Sequence, residues 1–516
     1  MRRKLNVKSS YLYIIEDASS VVLPKDLEGK DKFPCHVPGN IETTVAEKEG
    51  ITDLYFGTNV LALCKYELCD FWYEIVFENN EEFDFITFDG VDVLAEYFLG
   101  GKNIGSSDNM FIPHSFDVSD CLKKGENTLF VHIKNPIRFA SEKEYGAGLW
   151  SISDYNYESV YVRKAPHEYG WEICPRAMLG GIFKDVFLEK CSSAEVESVY
   201  FHTLSIDHLG AHVKVIYDLK LSPALYGKTR IVITGEHGNK SFSLDKTAVF
   251  KHGVIDFCIP HSNLVLWNPV GYGNPYLYDV NVELRCETGD LLAESKLKVG
   301  VRTLTLDFDK SGNIKEFLFK ANGIPVMVKG TNWVPLDALH SNDKNRLYPA
   351  LKLLKQTGCN MVRCWGGNLY ESEEFFDFCD ENGIMVWQDF AMACSVYPND
   401  EEFVKNLKKE ISTVVRRIRT HPSLCCYCGD NENDLGMFFN GINATDYIIS
   451  RRVIPETLFD VDPFRPYLPS SPYFTEKILS SREENDLAEN HLWGPRNYFK
   501  SKFYLENKNV FISEIG

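Results

Sequence analysis

No run of about 18 uncharged apolar residues occurs in the 516-residue chain, so no membrane-spanning helix is expected. Positive charge is also in short supply. Lys and Arg number 55 against 73 Asp and Glu, a formal net charge of −18. A nucleic-acid partner is therefore not expected, because counterion release from a polyanion needs a basic face. The N-terminus begins Met1-Arg2-Arg3-Lys4, but Leu5-Asn6-Val7-Lys8-Ser9-Ser10 lacks the apolar core of a secretory signal. Cysteine is not scarce, at 15, yet the number is odd and the spacing shows no repeating framework. A reducing, cytoplasmic compartment fits that usage. The one dense cluster, Cys425-Cys426-Tyr427-Cys428, has a metal-binding reading and a plainer one as small apolar residues on a buried strand; the plainer one is preferred.

Aromatic residues, in contrast, are abundant at 13%, and the 44% apolar and 25% charged fractions are those of a globular protein. At about 150 residues per domain the length suggests three domains. Short β-type runs fill residues 1–190, among them Phe71-Trp72-Tyr73-Glu74-Ile75-Val76-Phe77 and Asn127-Thr128-Leu129-Phe130-Val131-His132-Ile133, as a β-sandwich requires. Residues 191–300 repeat the style, with period-two alternation in Val213–Leu219 and Thr229–Ile233 over the length of one immunoglobulin-like sandwich. From 301 to 516 the pattern changes to alternating strands and helices. The expected strands are Pro325–Gly330, Asn360–Cys364, Ile384–Asp389, Leu424–Cys428, Pro466–Leu468, His491–Trp493 and Val510–Ile512; the expected helices are Asn345–Gln356, Glu371–Glu381 and Glu401–Arg419. Such spacing indicates parallel βα units, one strand short of the eight that close a (β/α)8 TIM-type barrel.

In such barrels chemistry sits at the carboxyl ends of the strands. Those ends carry Asn332-Trp333, Arg363-Cys364-Trp365, Gln388-Asp389, Asn431-Glu432, His491-Leu492-Trp493 and Ser513-Glu514. Two carboxylates there, Glu432 and Glu514, could divide the roles of proton donor and nucleophile. The indoles Trp333, Trp365 and Trp493 offer flat faces for sugar rings, while Arg363 and Asn431 can bind hydroxyls.

The strings Lys329-Gly330-Thr331-Asn332-Trp333-Val334-Pro335, Arg363 through Glu371 and Val386-Trp387-Gln388-Asp389-Phe390 resemble the β-mannosidases of glycoside hydrolase family 2. Cys428-Gly429-Asp430-Asn431-Glu432-Asn433 and Phe511-Ile512-Ser513-Glu514-Ile515-Gly516 are similar to the two catalytic segments of that family. Val37-Pro38-Gly39-Asn40, Arg163-Lys164 through Glu172, and Leu266-Trp267-Asn268-Pro269 fit it further upstream. The resemblance implies a sugar-binding jelly-roll sandwich, an immunoglobulin-like sandwich and a catalytic barrel. It implies Glu432 as general acid/base, Glu514 as nucleophile and retention at the anomeric carbon. Trp171, Glu172, Asn332, Trp333, Arg363, Trp365, Asp389, Asn431, His491 and Trp493 would contact the sugar. The reaction would be exo-removal of terminal non-reducing β-D-mannose from a mannoside, with no metal or organic cofactor.

Four departures from the family pattern stand out, one being Glu489-Asn490-His491-Leu492-Trp493, where the family usually has glycine–aspartate before the histidine. Trp171-Glu172-Ile173-Cys174-Pro175 replaces the family's tryptophan–aspartate–tryptophan–glycine–proline, so Glu172 reaches one methylene further. Asp430 occupies an asparagine position, and its charge would favour the protonated form of Glu432 if the two were close. The sequence also stops two residues after Glu514, so the barrel is expected to lack its last strand. Two alternatives accompany the mannosidase reading: another family-2 exo-glycosidase (exo-β-glucosaminidase, β-galactosidase or β-glucuronidase) and a non-catalytic carbohydrate-binding fragment.

Overall fold

The computed structural model describes residues 1–151, 156–308, 316–481, 487–494 and 500–516. Near the N-terminus two antiparallel sheets face each other. One has four strands in the order Arg2–Lys4, Val186–Glu189, Phe85–Phe88, His114–Asp117; the other has six, centred on Asp70–Asn79 and Gly125–Ile133. Alternation makes the core between them. Tyr73, Ile75 and Phe77 point inward to meet Ile86, Phe88, Leu129 and Val131, while Trp72 turns to the opposite face. The next unit also has two sheets, of three and four strands, with Val213, Val215, Tyr217 and Leu219 packed on Ile231, Ile233, Val280 and Val282. Both strands read from its sequence run longer than expected, as Gly210–Leu221 and Thr229–His237.

Seven parallel strands follow among the described residues: β1 (Gly330–Trp333), β2 (Met361–Cys364), β3 (Met385–Asp389), β4 (Leu424–Cys428), β5 (Tyr467–Leu468), β6 (Glu489–Leu492) and β7 (Phe511–Ile515). The first five pair in sequence order, and β6 pairs with β7. A side-chain bond, Asn332 Nδ2 to the Ser513 carbonyl at 3.0 Å, joins β1 to β7.

Helices α1 (Asp343–Gln356), α2 (Glu373–Asn382) and α3 (Glu401–Ile418) connect the strands. In α3, Asp400 caps the N-terminus by accepting from Phe403 N at 3.0 Å, with Glu401 and Glu402 in the first turn and Arg416 and Arg417 in the last. Phe403, Leu407, Ile411, Val414, Val415 and Ile418 form its buried stripe. The three cysteines of β4 are buried side chains of the strand core, around Trp387.

One expected strand is misplaced. The apolar run Val326-Met327-Val328 suggested Pro325–Gly330, but the parallel strand starts at Gly330, and Met327 is 72% exposed. The true strand, Gly-Thr-Asn-Trp, is short and polar because it carries a site residue at its end.

Buried contacts lock the first sandwich to the parallel strands. Arg163 grips Glu410 of α3 through Nε–Oε2 at 2.9 Å and Nη2–Oε1 at 2.7 Å, and Asn109 and Tyr370 satisfy the same carboxylate. Trp150-Ser151 pairs antiparallel with Ser395-Val396, in the loop after β3. From the middle unit, Trp267 Nε1 bonds the Asp380 carbonyl at 2.8 Å. Gly383, left-handed at φ +66°, lets the end of α2 approach Val270 too closely for any Cβ.

Candidate active site

Arg363 at the end of β2 is the hub of the site. Nη1 reaches Glu514 Oε1 at 2.6 Å and Asn332 Oδ1 at 3.2 Å, Nη2 reaches Asp389 Oδ2 at 2.7 Å and Asn431 Oδ1 at 2.9 Å, and Nε reaches Asp389 Oδ1 at 3.3 Å. All five guanidinium N–H groups are thereby used by side chains from the ends of β1, β3, β4 and β7. Arg363 is expected to bind sugar hydroxyls; its donors here are shared among the side chains that line the site. Asp389 is equally buried, bonded to Trp387 Nε1 and Gly366 N, and its carboxyl is pushed up to about 6 by burial, against the pull of Arg363.

Glu432 and Glu514 converge. Carboxylate oxygens of the two and a ring nitrogen of His491 all lie within 4.8 Å of one another. A register shift between Asn490 and His491 sets His491 opposite Glu514 in the β6–β7 pair. His491 Nδ1 then stands 2.6 Å from Glu432 Oε1 and 3.4 Å from Glu514 Oε2. Trp493 Nε1 donates to Glu514 Oε2 at 3.0 Å.

Glu432 itself has φ +61°, a left-handed conformation costly for a residue with a side chain and typical of sites where geometry outranks local comfort. Its amide is held by the Ser471 carbonyl at 2.8 Å, while Asn431 forms single bridges to Ala393 and Ser471. Burial raises the Glu432 carboxyl, but the bond and charge of His491 and a thiol bond from Cys394 outweigh it, and the net shift is downward. For His491 burial acts downward and Glu514 and Glu432 upward, the latter prevailing. The two groups therefore compete for one proton. The expected influence of Asp430 is not what sets Glu432: Asp430 turns into the first turn of the following helix, accepting from Asn433 N and Ser470 Oγ, and the shift at Glu432 is opposite in sign.

The indoles separate into two groups. Trp365, as buried as Trp333, lies on Gly367, where a Cβ would come within 2.0 Å of its ring, and meets Trp171 edge to face at 5.1 Å. Trp493 is half exposed beside Glu514. Trp333 does not join them. It is 6% exposed, packs on Phe375 at 5.1 Å and donates to Glu371 Oε1, because it follows Asn332 and so points to the opposite face of β1, into the helix layer. Glu172 is exposed in the turn closed by the reciprocal backbone bonds of Trp171 and Cys174.

Sequence reasoning missed Cys394, whose Sγ donates to Glu432 Oε2 at 3.2 Å and accepts from Asn431 Nδ2 at 3.4 Å. It also missed Ser471, bonded to His491 Nε2. Both lie in loops after strands, and one cysteine among fifteen carries no positional signal. In chemical terms, one carboxylate is bonded by Arg363 and an indole, and the other shares a proton with an imidazole 2.6 Å away. The oxygens of Glu514 accept from Arg363 and Trp493, and Glu432, His491 and Glu514 bring three potential metal-ligand atoms within 4.8 Å of one another. Two other groups bring three potential metal-ligand atoms within 4.8 Å among the described residues, His167/Glu168/His340 and Asp377/Asp380/His421.

Comparison with known proteins agrees with these observations. Residues 24–184 match the family model for the glycosyl hydrolase 2 galactose-binding domain-like unit, and residues 194–302 match that for glycosyl hydrolases family 2. A goat (Capra hircus) β-mannosidase is 28% identical over 480 residues, covering 86% of this chain and 54% of that protein. β-Mannosidase B of Aspergillus oryzae is 30% identical over 428 residues, covering 79% and 50%. The crystal structure of a Dictyoglomus thermophilum β-D-mannosidase superposes with a TM-score of 0.85 at 31% identity, covering 99% of this chain and 63% of that one. An Amycolatopsis orientalis exo-chitosanase shares the fold at TM-score 0.64 and 17% identity, covering 96% and 56%. The chain spans about half the length of the curated relatives it matches.

Proposed function

The chain belongs to glycoside hydrolase family 2, and from that premise we propose that it is the catalytic portion of a retaining exo-β-mannosidase acting on terminal non-reducing β-D-mannosides. The observation that carries the reading is the approach of Glu432 to Glu514. Retaining glycosidases hold their carboxyl groups about 5–5.5 Å apart, whereas inverting ones leave room for a water at about 6.5–9.5 Å. Oxygens within 4.8 Å fit the first class.

In this reading a carboxylate oxygen of Glu514, held by Arg363 and Trp493, attacks the anomeric carbon. Glu432 gives its proton to the departing aglycone oxygen, and a glycosyl ester forms on Glu514. Glu432 then takes a proton from water as the water oxygen attacks the same carbon. Glu514 leaves as carboxylate, and mannose is released with its configuration kept. Asn431 faces the same space. Trp493, half exposed, and Trp171, backed by the buried Trp365, supply apolar faces for the ring.

We further read residues 1–190, 191–300 and 301–516 as jelly-roll, immunoglobulin-like and catalytic domains, the seven parallel strands being an arc of a (β/α)8 barrel. No helix among the described residues is long and apolar enough to cross a membrane. All fifteen cysteines are unpaired, which supports a reducing, cytoplasmic setting. Hydrolysis of aryl β-mannoside, β-galactoside, β-glucuronide and β-glucosaminide by the purified chain, with Glu514→Ala as blank, tests the substrate class. Release from the mannoside alone is expected; preferential release from another sugar would overturn it.

A further inference from the structure

Behind the carboxylate pair lies a buried group that the reaction above does not use. Glu489, on β6, is buried, and its Oε1 accepts from the hydroxyl of Ser471 at 2.7 Å and from that of Ser513. Its other oxygen has no hydrogen-bond partner among the described residues, and Oε1 lies 3.9 Å from His491 Nε2. The carboxylate thus depends on those two hydroxyls for its solvation, since a buried charge without them is costly. Ser471 Oγ is also 3.0 Å from His491 Nε2. A serine has one hydroxyl hydrogen. Spent on Glu489, it leaves Ser471 as an acceptor only, and the partner at 3.0 Å must be an Nε2–H. The opposite ring nitrogen, Nδ1, is the one that faces Glu432 and Glu514.

We propose that Glu489 and Ser471 are positioning residues that fix the hydrogen on His491 Nε2, and so reserve Nδ1 as the atom that exchanges the acid/base proton with Glu432. The inference rests on the glycosidase reading of Glu432 but adds to it a device for storing the proton before substrate binds. His491 is approached by Glu432 at 2.6 Å, Ser471 at 3.0 Å, Glu514 at 3.4 Å and Glu489 itself at 3.9 Å, with the charge of Arg363 acting on it and Cys394 touching Glu432 from the loop after β3. Asp389 and Glu514 are paired with Arg363, while Glu432 and Glu489 stand 2.6 and 3.9 Å from the two nitrogens of His491, an arrangement that favours a proton on the imidazole. The downward shift of Glu432 and upward shift of His491 agree with a proton resting toward Nδ1 in the free protein. An aglycone oxygen entering beside Glu432 would draw that proton back along the 2.6 Å contact, with no net change in the cluster's proton count.

Glu489→Gln makes the sharpest test. The substitution removes the negative charge and lets an amide N–H take the place of the acceptor that Ser471 uses; with that hold loosened, the Ser471 hydrogen can turn onto His491 Nε2, so that Nδ1 becomes the protonated nitrogen and Glu432 is held ionised. The reading is the nitrogen spectrum of the full chain labelled with ¹⁵N-histidine, the His491 signals being assigned by their loss in His491→Asn. In the unsubstituted chain Nε2 is expected to be protonated throughout the neutral range while Nδ1 titrates; in Glu489→Gln the two are expected to exchange roles. Ser471→Ala, which removes the relay without adding a donor, is expected to lose the Nε2 bias. It serves as the second variant if the glutamine chain does not fold. On substrates, Glu489→Gln is expected to slow mannosides with poor leaving groups by about 10²-fold or more while sparing activated aryl mannosides, the range of lost general acid catalysis. An unprotonated Nε2 in the unsubstituted chain, or an Nε2 bias unchanged in both Glu489→Gln and Ser471→Ala, would overturn the proposal. The tautomer is read without turnover. A chain that keeps Nε2–H but hydrolyses no mannoside therefore contradicts the functional reading alone, and one that turns over with the reversed tautomer contradicts this inference alone.

Discussion

Arg363 Nη1 lies 2.6 Å from Glu514 Oε1, and the same guanidinium clamps Asp389 from the other side. The arginine is what allows two buried carboxylates, at the ends of β3 and β7, to stand on either side of one site. Arg363→Met is expected to destabilise the protein by about 3–5 kcal/mol, because it leaves Asp389 and Glu514 without their cation. Chemical denaturation measures this. A loss below about 1 kcal/mol would show that the clamp is not needed for the fold.

Cys394 donates its thiol hydrogen to Glu432 Oε2, which favours the ionised carboxylate. Removing that donor in Cys394→Ala should raise the Glu432 pKa. A general acid works only while protonated, so the alkaline limb of the kcat/KM profile is expected to move to higher pH. Cys394→Ser, which keeps a donor, should move it less. An unshifted limb in the alanine variant would contradict the role assigned to the thiol.

Gly366 and Gly367 have no room for a side chain. A Cβ on Gly367 would sit 2.0 Å from the Trp365 ring, and one on Gly366 2.4 Å from the Met392 carbonyl. Gly367→Ala is expected to displace Trp365 and with it the edge contact to Trp171, costing about 1–3 kcal/mol as overpacking does. KM for an aryl mannoside should rise more than kcat falls. Equal kinetics in the two proteins would remove Trp365 from the binding surface.

His421, away from the site, provides a pH-linked part of stability. Burial lowers its pKa, but Asp380 at 2.7 Å and Glu373 at 3.2 Å raise it to about 9. A raised folded-state value means the stabilisation is full below the unfolded pKa of about 6.5 and is lost as pH rises through about 9; its size is on the order of 3 kcal/mol. Denaturation midpoints between pH 6 and 10 should fall for the unsubstituted chain, and the fall should be smaller in His421→Asn. Parallel curves would contradict the linkage.

Much of this architecture was legible because its signals are local. Period-two alternation marks the sandwich strands, and apolar runs ending in Arg363, Asp389, Glu432 and Glu514 mark the parallel ones. Trp333 was misassigned because residue type suggested a sugar platform while strand parity, set by its neighbour Asn332, sends it into the helix layer. The strand bearing it was misplaced for a related reason: its polar residues hide the pattern, and an exposed apolar run nearby imitates it. Cys394 and Ser471 were illegible because their roles arise from loops meeting across the site, which no spacing along the chain records.

The central claim is that Glu514 becomes covalently attached to the sugar while Glu432 moves the proton. Incubation with a 2-deoxy-2-fluoro-β-mannosyl donor bearing an activated leaving group, followed by peptide mass spectrometry, measures it directly. The account predicts a fluoromannosyl ester on Glu514 that fails to form in Glu514→Ala and still forms in Glu432→Ala, since an activated leaving group needs little proton donation. A label on any other residue, or none at all on the intact chain, would contradict it.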